Sequence, residues 1–200
     1  MLHLFPHWNW EGKEGQEIEV WVHSNLDRVE LFVNGQSQGT QDVVHDTHLV
    51  WKVKYTAGSI EAKGFKAGQQ VLSAKRETTG AAAKIVLSSD RARISADGED
   101  VAVLTAQVQD SQGREVPIAD NELTFKVTGG GRLLGLGNGD PSSHELDTAT
   151  SRRAFNGLCM AIVKSTKSAD EIHIEASSPG LVSGVVTVST VTAVLRPAVV

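Results

Sequence analysis

Strict alternation of apolar and polar residues limits what this chain can fold into more than any other feature. In Glu17-Ile18-Glu19-Val20-Trp21-Val22, an extended backbone puts Ile18, Val20 and Val22 on one side and Glu17 and Glu19 on the other. Successive side chains of a strand point to opposite faces, so this segment predicts a strand with one face buried. Val29-Glu30-Leu31-Phe32-Val33 repeats the pattern and runs into Asn34-Gly35, a pair that tolerates the two positive φ angles of a tight hairpin. Leu49–Tyr55, Ser59–Phe65 and Gln70–Ala74 follow, separated by Ala57-Gly58 and Ala67-Gly68. The later part of the chain predicts strands over Lys84–Ser88, Val101–Asp110, Glu122–Thr128, Arg153–Lys164, Glu171–Ser177 and Val182–Val191. No segment keeps an apolar i, i+3, i+4, i+7 stripe for three turns, so almost no helix is expected. Short strands with turn signals at intervals of about 8–12 residues predict an all-β chain of antiparallel, immunoglobulin-like sandwiches.

The aromatic residues divide the chain in two. All four Trp, the single Tyr and Phe5, Phe32 and Phe65 precede residue 80, whereas only Phe125 and Phe155 follow it. Between them lies Glu77-Thr78-Thr79-Gly80-Ala81-Ala82-Ala83, small and polar, as a linker would be. Two tandem sandwiches are therefore expected, over residues 1–79 and 80–192, with a frayed tail over 193–200.

Charge and composition exclude several classes of function. A net charge of −5 offers no cationic surface for nucleic acid or anionic lipid. No apolar run approaches the roughly 18–20 residues that span a bilayer. The opening Met1–Pro6 lacks the basic and apolar regions of a secretory signal, so export would belong to a longer precursor. The single cysteine, Cys159, rules out an internal disulfide, and its apolar neighbours predict a buried, inert thiol.

The string His3-Leu4-Phe5-Pro6-His7-Trp8-Asn9-Trp10, with Val20-Trp21-Val22, Val29–Ser37, Trp51-Lys52-Val53 and Gly64-Phe65, resembles a known module. It is similar to the immunoglobulin-like domain behind the catalytic barrel of bacterial β-galactosidases of glycoside hydrolase family two. Ser95–Asp100, Val108–Gly113, Gly135–Pro141 and Ala154–Leu158 resemble the next module of those enzymes, related to the invasin and bacterial immunoglobulin-like group. The resemblance implies a β-galactosidase-like parent with a catalytic barrel upstream in the same polypeptide, and a periplasmic or extracellular bacterial location. It supplies no catalytic residue here, because the family's catalytic motif is absent from the chain.

Candidate chemistry is sparse. Retaining glycoside hydrolysis needs two carboxyl groups about 5–5.5 Å apart on a rigid scaffold. Glu17, Glu19 and Glu30 fall on solvent-facing strand positions, and Asp97, Glu99, Asp100 and Asp110 in turns. The pairs His3/His7 and His45/His48 sit in extended or loop sequence without a third ligand, and His144 and His173 stand apart, so no metal site and no cofactor are expected. Asp97, Glu99, Asp100 and Asp140 are oxygen ligands of the kind calcium takes, but Asp-Gly pairs of this sort more often build turns. Gly129–Asp140 lacks the Gly-Lys-Ser/Thr and the following helix of a phosphate loop, and predicts a bulged strand and loop. The cluster Phe5–Trp10 holds the candidate contact residues. His7, Trp8 and Trp10 would give a carbohydrate-binding surface or a wall of the parent's active site, against the preferred reading that Trp8 or Trp10 packs in the core or seals the interdomain contact with the upstream barrel. The expected function is a non-catalytic accessory region; a carbohydrate-binding module and an adhesin-like stalk are the alternatives.

Overall fold

The computed structural model describes residues Met1–Val194, and among them every regular element is a strand. Of the expected tail, residues 195–200 lie outside the described part, and Ala193 and Val194 continue past the last strand without regular structure. Backbone contacts divide the chain after Thr79 into two compact units, each with its own hydrophobic core.

The first unit holds β1 (Leu2–Phe5), β2 (Glu17–Ser24), β3 (Arg28–Val33), β4 (Gln36–Asp42), β5 (Leu49–Lys54), β6 (Ser59–Lys66) and β7 (Gln69–Glu77). They form one sheet ordered β1-β2-β5 and another ordered β4-β3-β6-β7, with all neighbours antiparallel. The alternation described above selects the inner faces. Leu4, Val20, Val22, Trp51 and Val53 from the first sheet meet Val29, Leu31, Ile60 and Ala62 from the second. The turn between β3 and β4 is built as its sequence requires, with φ of 48° at Asn34 and 78° at Gly35.

The second unit holds β8 (Ala82–Ser89), β9 (Arg93–Ala96), β10 (Val101–Asp110), β11 (Glu122–Gly129), β12 (Gly131–Gly137), β13 (Ser151–Arg153), β14 (Leu158–Ser165), β15 (Glu171–Ser177) and β16 (Gly184–Thr192). Its sheets are ordered β12-β14-β10-β8 and β13-β11-β15-β16-β9. Small residues such as Ala102, Ala106, Ala161 and Ala176 fill much of its core, with Phe125 the aromatic among the core residues.

Three features depart from the sequence expectation. The segment Arg153–Lys164 is not one strand: β13 ends at Arg153, and Asn156 and Gly157, both at positive φ (53° and 79°), turn the chain into β14. The strands β1 and β9, four residues each, were too short to show a clear period. β9 also pairs parallel with β16, so the sandwich is not wholly antiparallel. The glycine-rich stretch forms β12 with a register shift between Leu133 and Gly135, as expected of a bulged strand.

Candidate functional site

The segment Pro6–Trp10 leaves β1 and runs as an irregular stretch across one end of the first core. Trp8 and Trp10 therefore both lie outside a strand. The Trp8 side chain has no exposed surface and sits edge-on to Tyr55, the ring centroids 5.1 Å apart. Its Nε1–H donates to the Thr56 carbonyl at 3.0 Å, which meets the indole's one polar demand inside the core. The Trp8 carbonyl accepts from the Thr78 hydroxyl at 2.6 Å. Asn9 completes the fastening: its Nδ2 donates to Thr79 Oγ1 at 2.7 Å, and its Oδ1 accepts from the Thr79 amide at 3.2 Å.

His7 and Trp10 form a stacked pair with centroids 4.7 Å apart beside that core. Trp10 Nε1–H donates to the His7 carbonyl at 3.0 Å, and the Lys13 ammonium lies 4.8 Å from the Trp10 ring centre. The Asn9 amide donates to His7 Nδ1 at 3.2 Å, a bond that only an unprotonated Nδ1 accepts. Burial pushes the His7 pKa down in the same direction. Of the three residues singled out by sequence, the structure thus brings His7 and Trp10 together and commits Trp8 to the core.

Sequence reasoning missed a second aromatic group, on the outward face of β1-β2-β5. Phe5 stands opposite Trp21, and His3 opposite His23, in the β1–β2 register. The Phe5 ring is 5.6 Å from Trp21 and 5.4 Å from His23, while His48 stacks on Trp21 at 4.2 Å. The signal was in the alternation itself: if Val20 and Val22 face inward, then Trp21 and His23 face outward. A shallow cleft of ≈ 600 Å³ lined by His23, Leu26, His45, Asp46 and His48 adjoins this group.

Most carboxylates considered above are engaged in local structure. Glu19 accepts from Trp21 Nε1 and Glu30 from the Ser37 hydroxyl, each at 2.6 Å, and Glu17 lies 3.9 Å from Lys52. Asp97 Oδ1 accepts the amides of Glu99 and Asp100, a turn that closes on its own backbone. The Ser95 amide foremost, with the Val101 amide and Arg91, holds the Asp100 carboxyl below its ordinary range. Ser142, through its amide and hydroxyl, does the same for Asp140. Asp110 is buried, and desolvation alone would raise its pKa. Hydrogen bonds from the Gly80 and Arg114 amides, the Arg114 guanidinium and the Gln112 amide outweigh that and hold it well below the usual carboxylate range.

Arg152 anchors the long β12–β13 connection from within. Its buried guanidinium donates to Asp147 Oδ1 at 2.6 Å and to the Leu136 carbonyl at 3.4 Å, but its Nε has no hydrogen-bond partner. Burial pushes the Cys159 thiol up to about 12, so at neutral pH it is not a nucleophile. Among the described residues, no three His, Cys, Asp or Glu side chains converge as metal ligands would, and no helix is long and apolar enough to cross a membrane.

Comparison with known proteins adds an independent line. Residues 85–187 match the model described as glycoside hydrolase family 2 C-terminal domain 5, and residues 15–72 match a domain of unknown function. The chain is 39% identical over 191 residues to a β-galactosidase of Bacteroides ovatus, covering 94% of this chain and 22% of that protein. It is 30% identical to a β-glucuronidase of Formosa agariphila, covering 90% of this chain and 18% of the relative. Among solved structures, a β-glycosidase from Bacteroides vulgatus superposes with a TM-score of 0.90 at 32% identity, covering 94% of this chain and 24% of the other. A glycosyl hydrolase family 2 member from Bacteroides cellulosilyticus gives 0.88 at 36% identity, covering 93% and 24%. The chain thus spans about a fifth of the length of the curated relatives it matches.

Proposed function

We propose, from the premise that this chain belongs to glycoside hydrolase family 2 and forms part of its C-terminal region, that it is a non-catalytic accessory region of a larger bacterial β-galactosidase-like enzyme. In this reading the two units, with boundaries near residues 79 and 192, pack on or space a catalytic barrel carried by the same polypeptide. The observation that carries it is the alignment of 94% of this chain with only 22% of a β-galactosidase. Export to the periplasm or beyond fits a role in breaking down external glycosides.

The carbohydrate-binding alternative finds little support in the indoles. Sugar stacking needs an open ring face, whereas Trp8 is buried and both His7 and Lys13 lie against the Trp10 ring. The test compares this chain with the longer polypeptide that contains it, on aryl β-galactoside and β-glucuronide substrates. Turnover is expected from the longer protein alone. Hydrolysis by the purified 200-residue chain would overturn the proposal.

A further inference from the structure

The two outward faces of the first unit are finished differently. On β4-β3-β6-β7 the outward side chains include three charge pairs, Arg28–Asp42 at 2.8 Å, Lys63–Glu61 at 3.9 Å and Lys75–Glu77 at 3.0 Å. Apolar side chains on these strands, Phe32, Phe65 and the exposed Val71, are interspersed with charge, and the Lys63 ammonium lies 4.4 Å from the Phe32 ring centre. On β1-β2-β5 charge is confined to the end bearing Glu17, Glu19, Lys52 and Lys54. At the other end the rings of His3, Phe5, Trp21, His23 and His48 form one connected group, with neighbouring centroids 4.2–5.6 Å apart. Val50, opposite Trp21 in the register, extends it.

The arrangement of the rings bears on what they meet. His48 already stacks on Trp21, and the Trp21 N–H is spent on Glu19, so the indole offers a sugar at most one face and no free donor. A packed aromatic patch next to a polar border is instead the composition of a protein interface, whose centre favours Trp and Phe and excludes charge. We infer that this aromatic end, centred on Phe5 and Trp21, is the surface on which the catalytic region of the same polypeptide docks. The inference rests on the accessory reading given above and adds the face through which the packing takes place. Two observations favour this occupant. Roughly four fifths of the length of the relatives lies outside the matched region. The patch is also built partly on β1, the strand that any preceding polypeptide joins, so a tethered neighbour reaches it at high effective concentration. Tethering lets a patch of this size suffice, as interfaces within one chain are smaller and more polar than obligate ones.

Hydroxyl-radical footprinting read by mass spectrometry tests this on the unmodified protein. Oxidation of Phe5, Trp21, His23 and His48 is compared between the 200-residue chain and the longer polypeptide. The expected result is a several-fold loss of labelling at Phe5 and Trp21 in the longer protein. Leu72, 42% exposed on β7, should be labelled equally in both. Equal labelling of Phe5 and Trp21, with protection appearing elsewhere between Met1 and Val194, would overturn the assigned face and leave the accessory reading standing. Equal labelling throughout would overturn any docking of the first unit and leave only a spacer role.

Discussion

Replacing Trp8 separates a core residue from a ligand-contacting one. Trp8→Ala removes a fully buried indole, its edge-on contact with Tyr55 and its hydrogen bond to Thr56. Truncation of a buried Trp to Ala costs about 3–5 kcal/mol through lost burial and the cavity left behind. Domains of this kind are stable by about 5–15 kcal/mol, so the variant keeps only a part of the margin. With a urea m-value of about 1–3 kcal/mol/M, its unfolding midpoint should fall by on the order of 2 M. Trp8→Phe keeps much of the apolar volume but strands the Thr56 carbonyl without its donor, at a cost of about 1–3 kcal/mol. The assay is urea unfolding followed by circular dichroism and by the fluorescence of the remaining tryptophans. A second measurement, fluorescence titration of Trp8→Phe with galactosides, should match the unsubstituted chain. If Trp8→Ala stays within about 0.5 kcal/mol of the parent, the range of a neutral surface change, the assignment of Trp8 to the core is refuted.

Two further outcomes follow from the second unit. The Asp110 carboxyl has a folded pKa below its unfolded one, so its contribution is present above the ordinary carboxylate value, about 3.9, and is lost as pH falls toward the lowered folded value. Melting temperature should therefore drop below about pH 4, and Asp110→Asn should be less stable than the parent at neutral pH while losing less on acidification. An unchanged acid profile in that variant would refute the assignment. Gly157 sits at φ +79°, and a Cβ there would lie 2.3 Å from the Val116 carbonyl oxygen. Gly157→Ala should cost more than the roughly 1–2 kcal/mol of a left-handed non-glycine residue alone. Urea unfolding measures it, and a neutral result would show that β14 can shift away from Val116.

What the sequence discloses here depends on how local the determining physics is. The strand β2 and the Asn34-Gly35 turn are decided by neighbours within a few residues, and both form as expected. The turn at Asn156-Gly157 has the same chemistry, but the apolar residues on both sides of it masked the break between β13 and β14. β9 is a strand because β16 pairs with it from almost a hundred positions away, which no local pattern encodes. The aromatic group on β1-β2-β5 shows the same limit. The outward position of Trp21 follows from alternation, whereas its stacking with His48 requires β2 and β5 to be neighbours. The burial of Trp8 depends on Thr56 and Thr78, again distant in the chain.

The pairing of Asn9 with Thr79 closes a ring of chain whose ends are 70 positions apart, with no covalent link. A fragment begun at Gly15, where the recognisable family pattern sets in, would keep six of the seven strands of the first unit and still lose Leu4, Trp8 and both partners of the Thr78 and Thr79 bonds. A piece of the first half that keeps these bonds has to start at β1 and run through Thr79. Shorter versions should be handled as damaged goods however well they align.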